Sequence, residues 1–172
     1  MVLKRVKIYN NKLILFLNSE LVQIFLLTMI SISAPLFIKS PQILVGSIVN
    51  FVLFYSAKRY GFKKSILSII LPSLIAYSSN ILFKGATPFL LYFIPVIGIG
   101  NSVYVLLNRY IKNSILSVLV ASVCKSLLLF IFAFVFVNEL GLPSMFLTTM
   151  GIMQLYTGLI GGGLGYILAI NN

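Results

Sequence analysis

The chain has 172 residues, 60% of them hydrophobic and 9% charged, with a mean hydropathy of +1.10. Soluble domains of this size are close to half apolar and about a quarter charged, so this much apolar side chain requires lipid as its solvent. The net charge of +11, a single cysteine (Cys124) and the absence of histidine exclude a disulfide framework, a redox pair and most metal or acid–base chemistry.

The first stretch, residues 1–19, is read as a basic arm that is retained and is not a signal peptide, because it lacks a convincing small-residue cleavage site. Lys4, Arg5, Lys7 and Lys12 place residues 3–17 at the headgroups as an interfacial helix; the alternative is that they extend the first span, with Glu20 inside it. Residues 20–172 form one transmembrane domain. Apolar runs near the roughly 20 residues of a spanning helix fall at 20–38, 42–58, 64–83, 88–108, 114–138 and 144–170. The breaks carry turn chemistry, as at Lys39-Ser40-Pro41, Tyr60-Gly61-Phe62, Lys84 to Pro88 and Gly141-Leu142-Pro143. The fold class is therefore an all-α membrane protein, a bundle of about six transmembrane helices.

Charge placement orients the bundle. The arm, the second connection (Lys58, Arg59, Lys63, Lys64) and the fourth (Arg109, Lys112) put ten cations on one side, against Lys39 and Lys84 on the other. The positive-inside rule places the first set in the cytoplasm, and an even number of spans returns the C-terminus there, giving an N-in/C-in multi-pass membrane protein. The cations then serve topology and anionic headgroups, and no nucleic-acid partner is expected.

Most polar residues within the spans are Ser and Thr, which can bond to carbonyls of their own helix. Five larger ones remain: Asn50, Asn80, Asn101, Lys125 and Gln154. At roughly 1.5 Å per residue, Asn50 lies about 12 Å from the outer end of its span, Gln154 about 15 Å, Asn101 about 19 Å and Lys125 about 21 Å. These four share a layer at or just outside the midplane, while Asn80 sits near the outer end of the third span. A lysine at a helix centre costs about 2.5–3.5 kcal/mol even on translocon scales, and neither Glu20 nor Glu139 is placed to pair with it. It is met by amides of Asn50, Asn101 or Gln154, by backbone carbonyls, by water, by an anionic ligand, or by a partner subunit. The amides taken singly read equally as interhelical glue. Phe89, Tyr92, Phe93 and Tyr156 could stack on a flat ring or form the interfacial aromatic belt. In the sixth span Gly158/Gly162 and Gly161/Gly165 are spaced for close helix approach. Pro35, Pro72 and Pro95 are expected to kink their helices and open room for a cavity.

The runs PQILVGSIVN (41–50), LPSLIAY (71–77), PVIGIGNSVYVLL (95–107), ASVCKSLLLF (121–130) and MGIMQLYTGLIGGGLG (150–165) resemble a family of small bacterial membrane proteins. That family is similar to the substrate-binding S components of energy-coupling factor (ECF) transporters. The resemblance covers roughly residues 30–170, with Asn50, Pro95, Asn101, Lys125 and Gln154 at matching places. It implies a six-helix subunit that captures a vitamin or other micronutrient outside, partnered by a transmembrane T component and two ATPase subunits. Many S components carry Ala-x-x-x-Ala on the first helix for docking; here the region reads TMISISAP, with Thr28, Ser31, Ser33 and Ala34 and no clean four-residue spacing. Some relatives bear an iron-hydrogenase label, which one cysteine and no histidine cannot support.

The leading expectation is a non-enzymatic capture subunit binding a small, anionic substrate through Asn50, Asn80, Asn101, Lys125 and Gln154, with no cofactor, no metal and no catalytic residue. The competing readings are a structural or assembly subunit, an autonomous small transporter, and, more weakly supported, a membrane enzyme.

Overall fold

The computed structural model describes residues 19–38 and 41–170. The expected interfacial arm lies outside the described residues apart from Ser19. Among the described residues the chain is helical with no strand: α1 (Glu20–Phe37), α2 (Gln42–Arg59), α3 (Phe62–Ser79), a 3-10 segment (Lys84–Phe89), α4 (Leu90–Tyr110), α5 (Ser114–Leu140), a short α6 (Met145–Met150) and α7 (Ile152–Ile170).

Local chemistry sets the ends. Asn113 caps α5, its side chain accepting from the Leu116 amide at 3.1 Å. Gly141 closes that helix in the left-handed region at φ +66°, where a Cβ would be strained. The expected third span, 64–83, ends earlier. Asn80 takes φ +52° and terminates α3, a conformation that Asn tolerates better than most residues, and the chain then turns through Lys84–Phe89 into α4. The expected sixth span, 144–170, is two helices, because Gly151 breaks it with φ −94° and ψ −104°. A Cβ there would lie 2.7 Å from the Leu147 carbonyl oxygen and 2.9 Å from Phe130 Cδ2, so only glycine fits this bend.

Among the described residues, three helical stretches are long and apolar enough to cross a membrane: Glu20–Phe37, Gly85–Tyr110 and Ser114–Leu140. Helices α2 and α3 are less apolar because they carry Ser47, Asn50 and Ser56, and Ser65, Ser68 and Ser73, all turned into the bundle and buried. The exterior shows the opposite pattern. Along α5, Leu119, Leu127, Ile131 and Phe134 are exposed, while Ser117, Ser122, Lys125 and Ser126 are buried. Apolar surface outside and polar groups inside is the arrangement that a lipid solvent selects.

The long helices alternate in direction. At one end Lys64 pairs with Glu20, Lys58 Nζ donates to the Ile111 carbonyl at 3.1 Å, and Arg109 donates to the Lys58 carbonyl at 2.8 Å. All the described basic connections therefore meet at that end. Helix α2 is central, packing on α1, α3, α4 and most closely on α7. Glycines make that last contact possible: a Cβ on Gly161 would sit 2.3 Å from the Ser47 carbonyl oxygen, and one on Gly165 would sit 2.5 Å from Phe54 Cδ1. The glycine stripe of the last span is thus used within the chain.

The core forms two apolar clusters. Leu53, Phe54, Ile69, Tyr104, Val105 and Ala121 pack towards the basic end. Phe83, Leu90, Phe93, Leu129, Phe146 and Met150 pack towards the other. On α5, Lys125 lies between Ala121 of the first cluster and Leu129 of the second.

Candidate functional site

Lys125 is 2% exposed. It reaches the interior because α5 turns Ser117, Ala121, Ser122, Lys125, Ser126 and Leu129 to one buried stripe at helical spacing. Its Nζ donates to Asn50 Oδ1 at 2.6 Å. The Asn50 amide nitrogen donates to Thr157 Oγ1 at 3.0 Å, and that hydroxyl lies 3.2 Å from the Gln154 carbonyl, to which it donates. One chain of hydrogen bonds so joins α5, α2 and α7. Tyr104 covers the amine, its ring centroid 5.4 Å from Nζ, and is held by its hydroxyl donating to the Gly158 carbonyl at 2.9 Å. The ring face offers the cation some electrostatic return. Neither carboxylate does so: Glu20 is paired with Lys64 at the basic end, and Glu139 is exposed near the far end of α5.

A recess of about 90 Å³ opens beside this group. Its wall takes Pro35 from α1, Gln42, Val45 and Asn50 from α2, Pro72 and Ala76 from α3, Leu90, Ile97 and Asn101 from α4, Lys125 from α5, Met150 from α6, and Met153, Gln154 and Thr157 from α7. Leu82 and Phe83 close it on the side away from the basic connections. Prolines help to make the space. Pro72 removes an amide from α3, and in the same loosened turn the Ile69 carbonyl accepts the Asn101 side chain at 2.9 Å. The break at Gly151 brings the end of α6 and the start of α7 to the rim, and Ser126 Oγ donates at 2.7 Å to the Gly151 carbonyl, which also accepts the Gln154 backbone amide at 3.0 Å.

Four of the five residues singled out from the sequence, Asn50, Asn101, Lys125 and Gln154, line this one recess. Asn80 is exposed at the end of α3 and does not line it. The aromatic candidates lie elsewhere. Phe93 is buried and stacked on Phe146 at 4.7 Å, whereas Phe89, Tyr92 and Tyr156 are on the exterior. Residues that sequence reasoning passed over are Thr157, which orients Asn50, and Tyr104, which covers Lys125. Tyr104 stands three residues after Asn101, on the same helical face, and that spacing was the available signal. Thr157 had none. On α1, Thr28, Ser31 and Ala34 are buried against neighbouring helices, with Thr28 Oγ1 3.0 Å from Ser68 Oγ. The small residues of TMISISAP are thus largely occupied within the chain.

No protein-family model, curated protein or solved structure matches this chain. The architecture and the inverted distribution of polar groups define an all-α membrane protein with a buried lysine at the floor of a small recess.

Proposed function

We propose that this protein is a six-span, N-in/C-in capture subunit of a bacterial plasma-membrane importer, of the kind represented by ECF S components. It takes a small anionic nutrient from outside and passes it on through a T component and two ATPases. The observation that carries this reading is Lys125: a buried amine whose described contacts are an amide oxygen and a ring face, on the wall of a small recess between the helices. An uncompensated cation at this depth is expensive for the fold alone, and a ligand carboxylate would supply the missing charge. A recess lined mainly by amides, methionines and aliphatic side chains suits binding rather than bond-making, since no carboxylate or histidine lines it beside Lys125 as an acid–base partner.

Two outcomes follow. With ten cations on one side, reporter fusions at residues 61, 111 and 172 should read cytoplasmic, and fusions near 85 and 141 external. A cytoplasmic signal at 85 contradicts the six-span arrangement. The chain also lacks a phosphate-binding loop and any acid near the recess to couple an ion, so liposomes containing it alone should not accumulate substrate even with ATP inside. Uptake should require a T component and its ATPases. Concentrative uptake by the isolated chain would rule out the capture-subunit reading and favour an autonomous transporter.

A further inference from the structure

Among the described residues, one fully buried polar atom of the recess lining is left unserved by the protein. Asn101 is 2% exposed, and its Nδ2 donates to the Ile69 carbonyl at 2.9 Å, which fixes the orientation of the amide. Its Oδ1 has no hydrogen-bond partner. A buried acceptor without a donor has lost its hydration and received nothing in exchange, and folded proteins keep very few of them. Lys125 does not serve it, because the amine is directed to Asn50. Ser47 Oγ and Ser122 Oγ are also unpartnered, but a serine hydroxyl can rotate towards a carbonyl of its own helix, and neither residue lines the recess. The Asn101 amide is locked, and it does line the recess.

The neighbouring geometry ties this oxygen to the lysine. A Cβ on Gly100 would lie 3.5 Å from Lys125 Cγ and 3.4 Å from Leu129. The lysine stem therefore crosses α4 one residue before Asn101, and the two polar side chains share one wall. The lining also includes the apolar Val45, Phe83 and Met153. The volume, about 90 Å³, is below the roughly 150 Å³ that accommodates benzene in an engineered cavity.

We propose that the captured molecule is a small acyclic acid, of fewer heavy atoms than a ring acid, that gives a hydrogen bond from an N–H or O–H to Asn101 Oδ1 while its carboxylate meets Lys125. This rests on the capture reading and narrows it: a negative group alone does not complete the site, because the Asn101 oxygen repels a second acceptor and attracts a donor.

The test uses two acids of the same shape, glycolate and fluoroacetate, titrated calorimetrically into the purified protein. They differ in carrying a hydroxyl or a fluorine beside the carboxylate. Glycolate should bind at least about tenfold more tightly, the discrimination that one buried hydrogen bond supports. Asn101→Leu should abolish the preference by weakening glycolate, with fluoroacetate little changed. Should that variant fold poorly, the comparison on the unaltered protein still decides. Equal affinity for the two acids overturns the donor requirement, assigns the Asn101 oxygen to water, and leaves the anion reading intact. Failure of both acids to bind overturns the anion reading as well.

Discussion

Lys125→Met should lower the affinity for an anionic ligand by at least about thirtyfold while leaving the melting temperature level or higher. Removing one partner of a buried charge pair costs about 2–5 kcal/mol in binding, and every factor of ten is about 1.4 kcal/mol. Stability follows a different balance. The variant removes a cation whose only described polar contact is Asn50 Oδ1 at 2.6 Å, and it relieves a desolvation penalty of several kcal/mol. Against this, Asn50 Oδ1 is orphaned, at about 1–3 kcal/mol. The Asn50 amide nitrogen keeps its bond to Thr157, so α2 and α7 stay joined. Lys125→Arg should also weaken binding, because the planar fork is wider than an ammonium and meets the Tyr104 ring above it. Binding and melting temperature should be measured together on all three proteins. Unchanged affinity in the methionine variant would return Lys125 to a structural role.

Gly161→Ala should destabilise the bundle by at least about 2–3 kcal/mol, the upper range for an overpacked contact, and Gly163→Ala should be neutral or stabilising. The two glycines lie on one helix, two residues apart, so they separate packing from helix propensity. At 161 the new methyl would meet the Ser47 carbonyl oxygen at 2.3 Å, the Phe51 nitrogen at 2.6 Å and Asn50 Cβ at 2.9 Å. Two of these are backbone atoms that no rotamer change can move, so α2 must shift away from α7. The Asn50–Thr157 bond spans that same interface, and ligand binding should weaken along with stability. At 163 nothing lies within 4 Å, and alanine gains up to about 1 kcal/mol in helix propensity. Melting profiles in one detergent, with yields of monodisperse protein, check both. Equal melting of the two variants would refute the tight α2–α7 contact.

The parts legible in the sequence were those set by periodicity and cost. Long apolar runs between turn residues marked the helices to within a few residues. The expense of a large polar side chain in lipid marked Asn50, Asn101, Lys125 and Gln154, and the structure places all four on one recess. Asn80 carried the same signal, but at the end of a helix it serves the turn, taking φ +52°. Local conformation there competes with burial as the reason for an Asn. The division at Gly151 was hidden because hydropathy continues through it and the cause, contact with Phe130 on α5, is distant in sequence. Thr157 was hidden likewise, since a threonine that could bond its own helix gives no sign of also holding Asn50. Phe93 packs on Phe146 and does not line the recess, because depth along a helix does not say which face a ring occupies.

The solitary amine also has an electrical consequence. With both carboxylates remote from it, a protonated Lys125 carries a positive charge that neither acid cancels, and a bound monoanion would bring the site to neutrality. A charge carried across the bilayer interacts with the membrane potential by about 2.3 kcal/mol per 100 mV. Any movement of the occupied protein within the membrane would then proceed without work against the field at this site, while the same movement of the empty protein would register the voltage.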